Sequence, residues 1–164
     1  MTDTTSTAKQ DIDLVEPLQS TGHLLRRAVQ HYAMLWTATV TAGLTSPQFA
    51  VLALLASGED LELDQRTIAE GAALDKSTCG DLVDRLTRRG LAEARTDPGN
   101  RRRKLVRITG AGRERLEAAA AQQRAVHAAA LAELSDEDQA ELNRLLRKML
   151  GLGAEQVEAA CADA

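Results

Sequence analysis

The stretch from Leu63 to Thr109 restricts this chain more than any other: two short helical patterns run straight into a hairpin crowded with arginine. Leu63 is followed by Asp64, which suits an N-cap, and Gln65-Arg66-Thr67-Ile68-Ala69-Glu70 then makes a helical turn and a half that Gly71 can end. Leu74 precedes a second N-cap, Asp75. Beyond it Cys79, Leu82, Val83 and Leu86 recur at i, i+3, i+4 and i+7, the apolar face of a helix lying against a core. The opposite face is polar: Ser77, Gly80, Asp81, Asp84 and Arg88, with Lys76, Thr78 and Arg85 flanking. Two helices joined by about three or four residues form a helix-turn-helix, whose second helix enters the major groove of DNA.

The hairpin beyond this pair of helices is more specific still. Gly90 suits a helix C-cap, and the strand-like runs Leu91-Ala92-Glu93-Ala94-Arg95 and Lys104-Leu105-Val106-Arg107-Ile108 flank the turn-rich Asp97-Pro98-Gly99-Asn100, a β-wing. Between Arg85 and Arg107 nine cations stand against two acids, Glu93 and Asp97, a local charge of +7. The whole chain carries −4, so the remainder carries −11. Such asymmetry is the footprint of a nucleic-acid site on an otherwise acidic protein.

These residues resemble the MarR-type winged-helix transcriptional regulators. The matching segments are Leu44-Thr45-Ser46-Pro47-Gln48-Phe49-Ala50-Val51-Leu52, Leu63-Asp64-Gln65-Arg66-Thr67-Ile68-Ala69, Asp75-Lys76-Ser77-Thr78, Leu82-Val83-Asp84-Arg85-Leu86 and Arg88-Arg89-Gly90-Leu91, then Asp97-Pro98 through Arg101-Arg102 to Leu105-Val106-Arg107-Ile108-Thr109. Their order and spacing carry the resemblance, which spans most of residues 20 to 116. It implies an obligate homodimer that binds a pseudo-palindromic operator and lets go when a small molecule binds.

A length of 164 residues suits one domain, and 44% hydrophobic residues suffice for a core. Residues 1–11 are polar, with no apolar run typical of a signal peptide, and read as a frayed tail. No stretch of about 18 apolar residues predicts a membrane span. Cys79 and Cys161 are too few for a disulfide framework and lack metal spacing, which fits a reducing cytoplasm.

From Ile12 to about Ala42 the pattern predicts a helix, with Leu25, Val29, Tyr32 and Trp36 on one stripe and Leu24, Ala28 and Leu35 beside it. So wide an apolar face calls for a partner subunit. Ser46 reads as an N-cap with Pro47 at the first helical position, opening a helix to about Ala56. Thr109 can cap an alanine-rich helix running to Leu134. Ser135-Asp136-Glu137-Asp138 opens another, striped by Leu142, Leu145, Leu146 and Met149 and ended by Gly151 and Gly153.

Each candidate has a blander counterpart. Taken alone, Arg101-Arg102-Arg103 would be a solvated hairpin. At the wing of a helix-turn-helix it becomes a DNA contact, and the resemblance points to Arg101 as the minor-groove residue with Asp97 orienting the wing and its arginines. Narrow A·T grooves concentrate the negative potential that arginine answers. Ser77 and Thr78 sit where base edges and phosphates are met. Asp81 departs from the family pattern, and either accepts from a cytosine amino group or, more blandly, pairs with Arg85 at i+4.

His23, Arg27 and His31 make a polar ridge at i, i+4, i+8. Although some relatives sense zinc, about 12 Å along the helix separates the histidines, too far for one ion with bonds near 2 Å, so no metal is expected. The ridge is either a solvated or inter-subunit stripe or part of a ligand site. Cys79, on the buried face, reads as a small core residue. Gly110-Ala111-Gly112 lacks the third glycine of a dinucleotide loop, and no other enzyme or cofactor motif occurs.

The expected fold is mainly α with a small β-wing: a winged helix-turn-helix at 46–109 within a single domain at 12–164, with dimerisation helices at 12–45 and 110–164. The expected function is that of a homodimeric regulator on double-stranded DNA, a non-enzymatic repressor released by a small effector. The alternative is a winged-helix architectural or protein-interaction module without ligand response. The DNA-binding set is Gln65, Arg66, Lys76, Ser77, Thr78, Asp81, Arg85, Arg95, Asp97, Arg101, Arg102 and Arg103. The resemblance places an effector pocket near Arg26, Arg27, His31, Trp36 and Gln48. An arginine fork there suits a carboxylate and the gathered aromatics suit a ring, hence an aromatic acid; equally, those aromatics could only fill the core.

Overall fold

The computed structural model describes residues 18–58 and 61–152. Helices α1 (Thr21–Thr39), α2 (Ser46–Leu55), α3 (Gln65–Gly71), α4 (Lys76–Arg88), α5 (Gly110–Ala130) and α6 (Asp136–Met149) alternate with strands β1 (Leu63–Asp64), β2 (Ala92–Asp97) and β3 (Asn100–Ile108). The strands form one antiparallel sheet in the order β1-β3-β2. This is the mainly helical, winged arrangement expected.

Local chemistry sets most boundaries. Asp64, Asp75, Thr109 and Ser135 each cap the next helix, accepting backbone N–H groups that the first turn leaves unpaired. Gly90, at φ +70°, lets the N–H of Leu91 reach back to Leu86 O at 3.0 Å and its own N–H reach Thr87 O at 2.9 Å, ending α4 sharply and aiming the chain into β2.

Several boundaries differ from the sequence expectation. Helix α1 begins at Thr21, where the Ser20 hydroxyl accepts from His23 N, and stops at Thr39; Leu18 and Gln19 before it are also helical, with a bend at Ser20 between, and residues 12–17 of the expected helix lie outside the described residues. Thr45, not Ser46, caps α2, since Gln48 three residues on completes a reciprocal box with it. Gly71 is the last residue of α3, as expected, but the positive φ falls beyond it on Ala73, at 52°. The wing strands are longer than expected and a short β1 joins them. Helix α5 ends at Ala130, where Leu131 leaves helical geometry. Gly151 takes φ +68° beyond α6, while Gly153 and Cys161 fall outside the described residues.

One core joins Val51, Leu52 and Leu55 of α2, Ile68 of α3, Cys79, Val83 and Leu86 of α4, Val106 of the sheet, and Ala119 and Val126 of α5. The expected stripe of α1 divides. Trp36 is buried, Leu25, Tyr32 and Leu35 are half-buried, and Leu24 and Val29 stay exposed, the latter at 71%. Helix α6 buries no residue at all, and Leu142, Leu145 and Met149 face solvent. Among the described residues no helix is long and apolar enough to cross a membrane.

Candidate DNA interface

Helix α4 presents its polar face because Cys79, Leu82, Val83 and Leu86 fasten the other side to the core. The fully buried Cys79 thiol donates to Gln65 O at 3.4 Å and is pushed up in pKa by burial, as befits an inert core thiol. At the N-terminus Asp75 does more than cap. Its carboxylate accepts from Ser77 Oγ at 2.6 Å, from Thr78 N at 2.9 Å and from the Thr78 hydroxyl. Those two hydroxyl bonds hold the Asp75 carboxyl well below the usual range. Ser77 and Thr78 therefore have their protons committed and meet an incoming ligand as acceptors, which suits a base amino group better than a phosphate.

Lys76, Asp81 and Arg85 are exposed on the same face. Among the described residues no ion pair joins Asp81 to Arg85, so the blander account of Asp81 does not hold in the free chain. An exposed i,i+4 pair gains only a few tenths of a kcal/mol, too little to fix two solvated side chains. Arg66 does find a partner, Glu70 at 2.8 Å on its own helix, and both remain largely exposed. Gln65 is half-buried at the start of α3.

In the wing the strands pair regularly from Ala92↔Ile108 to Thr96↔Lys104, and the register then jumps to Asp97↔Asn100. Arg101, Arg102 and Arg103 thus bulge from β3 with no residue of β2 opposite them. Asp97 accepts from Gly99 N at 2.8 Å, tightening the turn, and from Arg103 Nη1 at 3.4 Å. It orients the turn and Arg103, and makes no bond to Arg101.

The wing's charges are distributed unevenly. Arg95 grips Glu62 with both Nε, at 2.8 Å, and Nη2, a contact that lowers the Glu62 pKa. Arg107 pairs across the ladder with Glu93 at 2.7 Å. Arg103 donates to Asp64 from Nη2 at 2.7 Å and Nε at 3.1 Å. The backbone N–H of Thr67 first and the Arg103 side chain second hold the Asp64 carboxyl down at about 2. The side chains of Arg101 and Arg102 have no hydrogen-bond or ion-pair partner among the described residues.

The five residues expected around an effector divide by burial. Arg26, Arg27 and His31 lie exposed on α1, whereas Trp36 and Gln48 are buried. Trp36 packs on Phe49 with ring centroids 5.2 Å apart and on Tyr32 at 6.3 Å, and its Nε1 donates to Leu44 O at 2.8 Å. Gln48 Oε1 accepts from Thr45 N at 3.1 Å. No hydrogen bond among the described residues links any two of the five. Among those residues, too, no three His, Cys, Asp or Glu side chains cluster as a metal site would require.

Comparison with known proteins bears on the fold and the wing together. The family model described as the MarR family matches residues 42–103. Over 148 residues the chain is 31% identical to the HTH-type transcriptional repressor NicR of Pseudomonas putida, covering 90% of this chain and 92% of that one. The chain belongs to the MarR family. Among solved MarR-family structures, the PcaV transcriptional regulator of Streptomyces coelicolor in complex with its natural ligand is 37% identical, with a TM-score of 0.74 over 81% of this chain and 93% of that one. BpsR of Bordetella bronchiseptica, whose DNA binding is regulated by 6-hydroxynicotinic acid, is 30% identical, with a TM-score of 0.72 over 78% and 96%.

Several residues that shape this MarR-family site were not visible in the sequence. Glu62 and Asp64 bind arginines 33 and 39 positions away. Gln122 Oε1 accepts from Thr41 N at 3.0 Å and Ala42 N at 3.2 Å, Arg115 Nη1 donates to Ala42 O at 3.1 Å, and Arg89 Nη1 approaches Gln48 Oε1 at 3.5 Å. Only Asp64 carried a local signal, its place as an N-cap.

Proposed function

We propose that the chain is a homodimeric, sequence-specific DNA-binding repressor of transcription, acting in the cytoplasm and released from a pseudo-palindromic operator by a small aromatic acid. The observation that carries the DNA reading is the pair Arg101 and Arg102, cations without acidic partners among the described residues, projecting from a wing beside a helix whose polar face is open. In this reading α4 enters the major groove, where Ser77, Thr78 and Asp81 meet base edges and Lys76, Arg85, Gln65 and Arg66 meet the backbone. Arg101 enters the adjoining minor groove and Arg102 lies along the phosphates. The parts played by Arg95, Arg103 and Asp97 are set by the groups that hold them.

Dimerisation falls to residues 12–45 and 110–164, and the winged helix at 46–109 carries the DNA contacts. Leu24, Val29 and Met34 of α1 and Leu142, Leu145 and Met149 of α6 leave apolar surface bare on these helices, and α6 by itself buries nothing. For the effector, support comes from a relative regulated by 6-hydroxynicotinic acid, an aromatic ring with a carboxylate. Arg26 or Arg27 can fork such a carboxylate, with His31 beside them and the Trp36 ring behind.

Selection from a random duplex pool followed by footprinting tests the first part, with protection of one pseudo-palindrome expected; protection without sequence preference would overturn it. Arg101→Ala should weaken that complex by about 1 to 3 kcal/mol while leaving the melting temperature unchanged. For the effector, a panel of hydroxylated aromatic acids is titrated against the fluorescence of Trp36, the sole tryptophan, with DNA release followed in parallel. If no acid at millimolar concentration changes either signal, or if Arg26→Ala and Arg27→Ala both respond as the wild type does, the arginine-anchored site is wrong.

A further inference from the structure

The wing tip is held to the helix-turn-helix by a continuous line of side-chain bonds that its strand ladder does not supply. At one end Asp64 Oδ1 accepts the N–H groups of Arg66 at 2.9 Å and Thr67 at 3.0 Å, fixing the carboxylate to the first turn of α3. Its other oxygen, Oδ2, takes Nη2 and Nε of Arg103 at 2.7 and 3.1 Å. The remaining arm of that guanidinium reaches Asp97 Oδ2 at 3.4 Å, and Asp97 Oδ1 holds Gly99 N at the turn. The line therefore runs from α3 to the wing turn and crosses the bulge at residues 101–103, where β3 has no partner residues on β2.

Charge and burial separate Arg103 from its neighbours. It is flanked by two carboxylates, so Asp64, Arg103 and Asp97 together are net negative, an arrangement that repels a phosphate. The carboxylates are well covered, with 18% of the Asp64 side chain and 17% of Asp97 exposed, so solvent screens this network less than an ordinary surface pair. Arg101 and Arg102, adjacent in sequence, carry no such partner among the described residues. Between the wing and the helices lies an open cleft of about 390 Å³, lined by Arg66, Lys76, Arg102 and Lys104 as well as by Asp64 and Arg103.

We propose that Asp64 and Arg103 form a strut that sets the reach of the wing relative to α4, so that Arg103 serves operator recognition by positioning Arg101 and Arg102 and not by neutralising a phosphate. The proposal rests on the DNA-binding reading above. It makes Asp64, an acid within a basic interface, a determinant of specificity: with the strut intact, the minor-groove arm and the major-groove helix engage the duplex at one fixed separation.

The test uses the full-length protein with Asp64→Asn, Arg103→Leu and Arg103→Lys, measuring affinity for the selected operator and for random duplex across a salt series. Asparagine caps a helix as well as aspartate does, so Asp64→Asn keeps α3 capped and removes only the charge that holds Arg103. Operator affinity should fall roughly 3- to 30-fold in both Asp64→Asn and Arg103→Leu, with the double variant no worse than either single one and Arg103→Lys largely restored. Affinity for random duplex should not fall in Asp64→Asn, and its salt slope should steepen by about one, since Arg103 is then released to meet a phosphate. If Arg103→Leu instead weakens operator and random duplex equally and lowers both slopes by about one, while Asp64→Asn strengthens both, Arg103 is a phosphate contact and the strut is overturned. A readout without DNA keeps the two readings apart: in Asp64→Asn and Arg103→Leu the amides of Gly99, Arg101 and Arg102 should become mobile by nitrogen-15 relaxation. An equally rigid wing in both variants refutes the strut whether or not the chain binds an operator.

Discussion

Gly112→Ala adds one methyl group at the second glycine of Gly110-Ala111-Gly112. A Cβ built there lies 2.1 Å from Leu91 O, 2.8 Å from Ile108 Cγ1 and 3.0 Å from Leu91 C. Carbon contacts relax only near about 3.5 Å, so the first turn of α5 must withdraw from the sheet by more than about 1 Å. The obstacle is backbone, which cannot rotate away as a side chain can. Withdrawal strains two bonds that join this turn to the end of α4: Thr109 Oγ1 to Gly90 O at 2.7 Å and Thr109 N to Leu91 O at 3.2 Å. Overpacking costs about 1 to 3 kcal/mol and each weakened bond about 1 more. Against this stands the helical preference for alanine over glycine, about 1 kcal/mol. The net is a loss of about 2 to 4 kcal/mol, read by chemical denaturation at a fixed protein concentration. Gly110→Ala is the internal control. It lies in the same turn with no atom within 4 Å of its Cβ and should be neutral or stabilising by up to about 1 kcal/mol. A Gly112→Ala protein within about 0.5 kcal/mol of wild type, or a Gly110→Ala protein equally damaged, would refute this account of the joint between sheet and α5.

Sedimentation at micromolar concentration should show a dimer and no monomer, and Leu145→Glu, which puts a charge on the bare face of α6, should dissociate it. Gly80→Ala, on the DNA side of α4 with nothing within 4 Å, should raise stability by up to about 1 kcal/mol while changing operator affinity, so that folding and binding respond separately. Trp36→Phe leaves Leu44 O without its buried donor and should destabilise by about 1 to 3 kcal/mol, seen as a lowered denaturation midpoint. The Asp64 carboxyl is held at about 2, below its ordinary value, so it stabilises the fold above pH ~4 and that contribution is lost as pH falls from ~4 toward 2; Asp64→Asn should flatten this part of an acid-unfolding curve, and an unchanged curve would count against the pairing.

Helix caps were legible because they are local. Asp64, Asp75, Thr109 and Ser135 each needed only the next three residues to declare themselves. Where two hydroxyls stood side by side, at Thr45-Ser46, the deciding residue was Gln48, whose amide answers Thr45. Gly71 looked like a terminator, yet it is small for another reason: a Cβ there would meet Leu54 Cδ2 at 2.7 Å, a tertiary contact with no sequence signature. The wing suffered most. A local charge of +7 counted cations between Arg85 and Arg107 and ignored Glu62 and Asp64, which fold back onto Arg95 and Arg103 from outside that window. The local charge count was thus too generous in its free charge.

The same long-range chemistry ties α1 and α5 to α2 and the end of α4. The turn from Val40 to Thr45 joins α1 to α2, and side chains from four helices secure it. Trp36 of α1 holds Leu44 O; Gln122 and Arg115 of α5 hold Thr41 and Ala42; Gln48 of α2 holds Thr45 N; and Arg89, which ends α4, reaches Gln48 Oε1 at 3.5 Å. Gly43, at φ +70°, supplies the bend and lies 3.5 Å, by its would-be Cβ, from Arg89 Nη2. A shift of α1 against α5 cannot leave this turn in place, and the turn cannot move without disturbing Gln48 and, through Arg89, the end of α4. Packed interiors respond to such a shift by changing between discrete arrangements, not by bending. An effector seated beside Trp36 and Gln48 would therefore weaken operator binding only to the extent that it binds the shifted arrangement more tightly than the DNA-bound one.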